Sequence, residues 1–243
     1  MLIPSYLVDS QQRLRPSSFM CIAQEMAMRA ADALNFGFDD LAAHDLAWVV
    51  SRTHLIFDRI PHFRDSIEFA TWHKGVNGLY FIRDYQMNDA SGRSLVRGTS
   101  SWIALNTKER SLFRSDRLAE FFDTRPQNLE SAIEENACRL RADRNAELVA
   151  SHCVRYSDCD FIGHANNTSY ITWAMDLLPA DLVNGAFPAE LDINFSKETR
   201  EGENIDIYRN IIESEEGITV NFEGKSGNET HYLLRLIYKK DKI

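Results

Sequence analysis

The sequence predicts an α+β fold in which two similar units follow one another, each a long helix packed on an antiparallel sheet. Apolar residues recur at helical spacing once in each half of the chain. Long stretches rich in Val, Ile, Thr, Phe and Trp follow each helix. The two halves also align with one another along the sequence. An amphipathic helix beside strands of this kind buries its apolar side on the sheet.

The first predicted helix lies near the start of the chain. Ser17 or Ser18 can cap it after Pro16, and Gly37 can end it. Its apolar positions recur at steps of three and four: Phe19, Ile22, Ala23, Met26, Ala27, Ala30 and Leu34. The strands that we predict after it are Leu46–Arg59, Ile67–Lys74, Leu79–Met87 and Ser94–Leu105.

The second half repeats this pattern after a connector. A strand is predicted at Leu148–Tyr156, and a helical face follows at Tyr170, Trp173, Ala174, Leu177 and Leu178. The later strands are Glu190–Phe195, Asn204–Ile212, Ile218–Glu223 and Tyr232–Tyr238. The connector is polar and prone to form helix. We therefore divide the chain into a first unit at 1–115, the connector at 116–146 and a second unit at 147–243.

The two halves align well enough to indicate an internal duplication. A constant offset of 151 places the helical positions of the first half on those of the second, Asp9 on Asp160, and Arg13 on His164. After the helix, an offset of 138 matches Phe57 with Phe195. The alternative is that any two α+β halves can be aligned by sliding one along the other. We expect the first copy to carry a degenerate site.

The composition excludes several classes of protein. An excess of 36 acidic over 27 basic residues gives a net charge of −9, which disfavours a nucleic-acid-binding protein because phosphate affinity comes from clustered cations. No stretch approaches the roughly 20 apolar residues of a membrane helix, and the first residues do not resemble a signal peptide. The four cysteines have no zinc-site spacing and indicate reduced thiols in a cytoplasmic protein.

The densest polar segment precedes the second helix, at residues 158–167. It contains two acids, Asp158 and Asp160, together with His164, Asn166 and Asn167. A helix start presents backbone N–H groups and a positive dipole, which can stabilise an oxyanion. The alternative is an ordinary capping turn, in which Asp and Asn are common.

This segment resembles the D…G-H-x-N-N…Y signature of hotdog-fold thioesterases, through Asp160, residues 163–167 and Tyr170. The first half resembles the N-terminal half of acyl-acyl carrier protein (acyl-ACP) thioesterases of plants and bacteria, which are tandem hotdog proteins. The residues that carry this second resemblance are residues 48–52, residues 58–61, Asp65, Thr71-Trp72, Arg83-Asp84, Gly92, residues 100–102 and Asn106. The likeness covers roughly residues 5 to 210.

The resemblance implies three catalytic residues, Asp160, His164 and Glu198. The family's Asn is replaced here by Ile162, and the Cys that often follows the Glu is Thr199. A papain-like Cys–His mechanism is therefore disfavoured. The resemblance also implies substrate contacts at Ile162, Asn166, Asn167, Thr199, Trp48, Met26 and Phe19, the last three in an acyl channel that also includes Met20 and Ala23.

The expected reaction is hydrolysis of an acyl-ACP thioester by water, ending chain elongation in fatty acid biosynthesis. Glu198 or His164 would accept the proton, Asp160 would orient the His or the water, and no metal or organic cofactor is needed. The carrier protein is acidic, so a cationic patch is expected among Arg139, Arg141, Arg144, Lys197 and Arg200. The alternatives are an acyl-CoA thioesterase, a hotdog dehydratase, or a non-catalytic acyl-thioester binder because of Ile162. A homodimer is possible.

Overall fold

A ten-stranded antiparallel sheet is the frame of the protein in a computed structural model that describes residues 1–240. Its strands are β1 Leu46–Phe57, β2 Ile67–Asn77, β3 Tyr80–Asp89, β4 Ser94–Asn106, β5 Ser111–Phe113, β6 Glu147–Cys153, β7 Glu190–Phe195, β8 Asn204–Glu213, β9 Gly217–Ser226 and β10 Glu229–Lys239. The α-helices are α1 Pro16–Asp32, α2 Phe38–Ala42, α3 Ser115–Leu118, α4 Asn167–Asp176 and α5 Ala180–Gly185. Short 3-10 helices occupy Ser5–Leu7 and Tyr156–Asp158.

The strand order shows two units fused edge to edge. The order is β2-β3-β4-β1-β7-β10-β9-β8-β6, with β5 paired to β4. The first-half strands thus form one side of the sheet and the second-half strands the other, and they meet where β1 pairs antiparallel with β7. The α+β prediction and its tandem hotdog units are confirmed. The predicted second unit extends to residue 243, and residues 241–243 lie outside the described part of the chain.

The two long helices pack on the same face of the sheet and against each other. Phe19 of α1 is fully buried and contacts the rings of Phe57 and Phe69. In the second half, Tyr170 of α4 packs on Tyr232 of β10, with ring centroids 4.9 Å apart. Burying one such aromatic side chain contributes about 1.5–3 kcal/mol. In the part of the chain that is described, no helix is long and apolar enough to cross a membrane.

The ends of α1 differ from the prediction. Pro16 is the first helical residue and Arg15 is the N-cap without a side-chain bond, so neither Ser17 nor Ser18 caps the helix. Proline suits this first position because its missing N–H would have no partner there. The helix ends at Asp32, before Leu34 and Gly37, and Asn35 adopts a positive φ of 53° in the following turn.

The internal duplication is visible in the backbone hydrogen bonds. Each helix is preceded by the same turn, and each turn is bound to the same later segment of its own half. Equivalent bonds join Asp9 N to Arg13 O and Asp160 N to His164 O, Leu14 N to Pro61 O and Ala165 N to Thr199 O, and Ile3 N to Asp65 O and Val154 N to Glu203 O. The sequence offsets of 151 and 138 therefore correspond to structurally equivalent positions.

The connector is not helical, contrary to the prediction. After α3 it crosses the face of the sheet opposite the helices as an irregular chain. Side chains of the sheet bind its backbone along the way: Asp84 Oδ2 accepts from Ala132 N, and Asn194 bonds both Cys138 O and Leu140 N. These side chains provide the hydrogen-bond partners that the connector backbone would find within itself if it were a helix. Ile133 and Ala137 are buried there, whereas Leu129 is exposed.

Candidate active site

A cavity of about 500 Å³ lies between the two halves of the chain and is lined by both. The first half contributes residues of α1, β1, β3 and β4, and the second half contributes the turn before α4 and the segment after β7. Asp160, His164 and Glu198 line one end of it. The three residues that the resemblance implied as catalytic are thus brought together at a cavity.

His164 and Glu198 form the ionisable pair of the site. His164 Nε2 lies 3.4 Å from Glu198 Oε2, and both side chains are about one-third exposed or less, at 28% and 33%. His164 belongs to the turn before α4, and Glu198 follows β7. An antiparallel β-bridge between the backbones of His164 and Arg200 holds the two segments side by side. This is the arrangement of an imidazole with an orienting carboxylate.

Two arginines surround the other oxygen of Glu198. Oε1 accepts hydrogen bonds from Arg110 at 2.7 Å and from Arg200 at 3.0 Å. The bond from Arg110 is the main cause that lowers the pKa of Glu198 below its ordinary value, with Arg200 and the charge of His164 acting in the same direction. Glu198 is therefore a carboxylate near neutral pH and a weak base.

Asp160 binds the turn backbone rather than the imidazole. Its Oδ1 accepts from the N–H of Ile162 at 2.9 Å and of His164 at 3.3 Å. Asp9, its equivalent in the first half, accepts from the N–H of Gln11 and of Arg13 in the same way. Because the same bonds occur in the copy without a histidine, the Asp fixes the turn in both halves. The expected side-chain contact between Asp160 and the ring of His164 is not present.

Arg13 occupies the position that corresponds to His164 and fills the equivalent space in the first half. Its guanidinium bonds Asp9, Ala186 O and Val183 O at 2.7–2.9 Å. It is 7% exposed and also lies over the ring of Phe187. An arginine held in this way has no role as a proton acceptor.

Ile162 lines the cavity together with Asp160 and His164, and the segment that holds these three residues is a tight turn. Gly163 makes the turn possible with a φ of 85°, as Gln12 does at 63° in the first copy. Ile162 is 53% exposed, so it forms an apolar part of the cavity mouth. Beside it, Phe161 contacts Phe38 of α2 across the mouth, with ring centroids 5.4 Å apart.

Of the other predicted substrate contacts near the turn, one lines the cavity and two do not. Asn167 lines the cavity, whereas Asn166 is the N-cap of α4 and accepts from Thr168 N. Thr199 is fully buried and outside the cavity wall. Its hydroxyl accepts from Tyr170 and lies 2.6 Å from His231 Nδ1. Both side chains thus have hydrogen-bond partners within the protein, and the predicted substrate contacts at Asn166 and Thr199 stay predictions.

The residues predicted for the acyl channel on β1 and on α1 differ in their position relative to the cavity. Trp48 lines the cavity, and its indole N–H bonds Phe36 O. Phe19, Met20, Ala23 and Met26 do not line it. The α1 residues that do are Gln24, Ala27, Met28 and Ala31, on the C-terminal half of the helix. Phe19, Met20 and Ala23 are instead buried in the core that α1 forms with the sheet and α4.

Sequence reasoning missed three cationic or titratable residues of the cavity wall, Arg110, Arg83 and His73. Arg110 lies in the tight turn between β4 and β5 and has a positive φ of 51°. It reaches Glu198 only because β1 and β7 join the two halves, so no local sequence signal identifies it. Arg83 was part of the family resemblance, but nothing in its neighbourhood in the sequence indicates burial beside a cavity.

The cysteines do not take part in the site. Cys159 donates to Arg155 O, and desolvation with nearby carboxylates raises the pKa of its thiol, which disfavours a thiolate. Cys21, Cys138 and Cys153 are unpaired and exposed. Across residues 1–240, no group of three or more His, Cys, Asp or Glu side chains is placed to hold a metal ion.

Comparison with known proteins identifies the family of this chain. The profile of the acyl-ACP thioesterase N-terminal domain matches residues 1–119, and that of the C-terminal domain matches residues 141–240. The chain is a member of the acyl-ACP thioesterase family.

Individual relatives are distant but extend over most of the chain. A chloroplastic acyl-[acyl-carrier-protein] hydrolase of Cuphea viscosissima is 28% identical over 96% of this chain and 57% of its own length. A chloroplastic oleoyl-acyl carrier protein thioesterase of Arabidopsis thaliana is 26% identical over 97% of this chain and 70% of its own. The chain thus spans somewhat more than half the length of the former relative.

Solved structures show the same fold. The 12:0-ACP thioesterase of Umbellularia californica superposes with a TM-score of 0.85 at 22% identity, covering 98% of this chain and 92% of that one. An acyl-ACP thioesterase of Bacteroides thetaiotaomicron gives a TM-score of 0.83 at 22% identity, covering 98% and 96%. Both superpositions include the two halves of the chain and the junction between them.

Proposed function

We propose that this protein hydrolyses the thioester of acyl-ACP and releases a free fatty acid, which ends chain elongation in fatty acid biosynthesis. The observation that carries the proposal is the cavity itself. One end holds the pair of His164 and Glu198, and the remainder runs between α1 and the sheet of the first half, past apolar residues such as Met28 and Trp48. A thioester at the pair would place its acyl chain in this channel.

The geometry favours His164 as the general base. Glu198 is held as a weakly basic carboxylate by Arg110 and Arg200, whereas a neutral imidazole near pH 7 accepts a proton from water efficiently. Glu198 then orients the ring of His164 and stabilises the imidazolium as it forms. Water attacks the carbonyl carbon, and His164 returns the proton to the leaving thiolate.

The oxyanion of the tetrahedral intermediate needs donors at the same end of the cavity. Asn167 lines the cavity and is the first residue of α4. The N–H groups of Thr168 and Ser169 are bonded to Asn166, which leaves the backbone N–H and the side-chain amide of Asn167 as the donors at this end of the cavity. The positive end of the helix dipole adds to their effect. The N-terminus of α4 is therefore the proposed oxyanion site, and no cofactor enters the reaction.

Acyl carrier protein is the proposed partner, and the cationic surface near the cavity favours it. Arg110, Lys197 and Arg200 lie at the end of the cavity where the thioester would enter, three cations against the two carboxylates with which they pair, Glu198 and Glu229. Arg139 and Arg141 belong to the connector, on the opposite face of the sheet, so they are not placed to contact a carrier at the mouth. A local basic patch offsets the repulsion between two acidic proteins.

The test is turnover of a panel of acyl-ACPs by the purified protein, beside acyl-CoAs of the same chain lengths. We expect hydrolysis of acyl-ACP, with lower kcat/KM on acyl-CoA, and a loss of about 10²–10⁴-fold for His164→Gln. His62→Gln is the control, because His62 is exposed and outside the cavity. Preference for acyl-CoA would favour the acyl-CoA thioesterase, and binding without turnover would favour an acyl-thioester binding protein.

The cytoplasm is the proposed compartment, since four unpaired cysteines fit a reducing environment. Cell fractionation with an antibody against the protein tests this proposal. The names of the two plant relatives described above call those proteins chloroplastic. A homodimer is tested by light scattering of the purified protein.

A further inference from the structure

Arg83 lies in the wall of the cavity, away from the reacting end. It occupies β3 between Phe81, which lines the same cavity, and Tyr85, which is part of the core under α1. Alternate residues of a strand share one face, so Arg83 points to the helix side of the sheet. It is only 9% exposed, which is unusual for an arginine.

Arg83 has no counter-charge. In the chain from residue 1 to residue 240, no carboxylate lies within 4.0 Å of its guanidinium, and its side chain donates one hydrogen bond, to Thr71 Oγ1 at 3.3 Å. The neighbouring Asp84 points to the other face, where it pairs with Lys74 at 3.1 Å and binds Ala132 N. A guanidinium has five N–H donors, so most of them are unused here.

The polar groups near Arg83 are already satisfied by one another. The Tyr85 hydroxyl and the Trp102 indole N–H both bond Ser100 Oγ, at 2.9 and 2.7 Å. The ring nitrogens of His73 face Ile82 O and Thr124 O. Burial lowers the pKa of Arg83, but arginine remains charged in proteins. A largely buried cation without a counter-charge is costly, which indicates that a ligand supplies that charge.

The position of Arg83 in the sheet sets its distance from the reacting end. The cavity crosses the strands in the order β7, β1, β4 and β3, from Glu198 after β7 to Arg83 on β3. Three inter-strand spacings of about 4.8 Å separate β7 from β3, or roughly 14 Å. An acyl chain that lies across the strands would therefore bring its distal part, and not its thioester, to Arg83.

We propose that Arg83 forms a subsite for a carboxylate at the distal end of the acyl chain, so that the substrate class includes ω-carboxyacyl thioesters. A carboxylate matches the planar fork of a guanidinium and supplies the charge that the cavity wall lacks. The inference rests on the proposed thioesterase function for the orientation of the chain.

The kinetic test compares two acyl-ACPs of equal carbon number, one with an unsubstituted chain and one with an ω-carboxylate. The measured quantity is the ratio of kcat/KM for the ω-carboxyacyl substrate to that for the unsubstituted one. We expect Arg83→Met to lower this ratio at least tenfold and Arg83→Lys to lower it less. Arg93→Met is the control, because Arg93 lies on the exposed turn between β3 and β4. An equal effect of Arg83→Met on both substrates overturns the proposal.

A binding test is independent of turnover and separates the two proposals. The ligands are the monomethyl ester of a long α,ω-dicarboxylic acid and the methyl ester of the fatty acid of the same length, measured by calorimetry with the full chain. We expect the carboxylate ligand to bind at least tenfold more tightly to the wild type and this difference to vanish in Arg83→Met. If the difference is absent from the wild type, or persists in the variant, the subsite is refuted. This holds even where acyl-ACP turnover fails.

Discussion

Removal of the Asp160 carboxylate is expected to displace His164 without unfolding the protein, and the duplicated turn supplies a matched control in Asp9→Ala. In Asp160→Ala the turn loses two acceptor contacts, to Ile162 N at 2.9 Å and to His164 N at 3.3 Å. Loss of a side-chain acceptor of this capping type costs about 0.5–2 kcal/mol. We take about 1.5 kcal/mol, because one of the two bonds is long.

The control is expected to cost more stability. Asp9→Ala removes two equivalent backbone contacts and also the ion pair with Arg13, whose side chain is 9% exposed. Removing one partner of a buried pair costs about 3–5 kcal/mol. At about 2–4 °C per kcal/mol for a chain of this size, Tm falls by about 3–6 °C in Asp160→Ala and by about 6 °C or more in Asp9→Ala.

Activity is expected to follow the opposite order. A displacement of about 1 Å in a catalytic group can cost roughly 100-fold in rate, so Asp160→Ala should lose about that much kcat. Asp9→Ala should keep kcat near the wild-type value, since its turn lies outside the cavity wall. The assay is acyl-ACP hydrolysis well below both melting midpoints. Equal losses of kcat in the two variants, or a normal kcat in Asp160→Ala, would refute the reasoning.

Three further variants test the surroundings of the site. Thr199→Val should cost about 2–4 kcal/mol in urea unfolding, because it leaves two buried polar groups without their hydroxyl partner, whereas Thr199→Ser should restore most of it. Arg110→Gln removes the bond that most lowers the pKa of Glu198, so that pKa should rise in an NMR titration of the Glu198 carboxyl carbon, and an unchanged pKa would contradict this cause. Ile162→Asn should raise kcat on acyl-ACP by supplying an amide at the cavity mouth; a slower variant beside a harmless Ile162→Val would contradict the match to the family's Asn.

Strand positions were predictable from local sequence because apolar alternation and turn residues act within a few residues. β7 has the predicted limits. β2 continues to Asn77, beyond the predicted end at Lys74, because Gly75 adopts a φ of 127° at a register shift and the strand passes through it as a bulge. A glycine can end a strand or form a bulge within it, and the pairing with the neighbouring strand determines which of the two occurs.

The limits of the site prediction have a similar cause. His164 and Glu198 were found through a resemblance, whereas Arg110 depends on the pairing of β1 with β7 and has no local signature. The apolar stripe of α1 is wide, and its residues are of one chemical kind whether they pack on the sheet or line the cavity. Ala23 and Ala27 belong to the same predicted stripe, yet Ala27 lines the cavity and Ala23 does not.

The two copies of the turn explain why one cavity serves two hotdog units. In the second copy, Phe161 contacts α2 of the first half, and His164 remains at an open cavity. In the first copy, Gln11 bonds Asn184 of α5, and Arg13 bonds the backbone carbonyls of Val183 and Ala186, so the equivalent space is closed by hydrogen bonds. Each unit thus packs its turn against the short helix of the other. The hydrogen bonds of Arg13 fill the space that corresponds to the site around His164. The first unit therefore forms the channel, and the second unit holds the ionisable pair of His164 and Glu198.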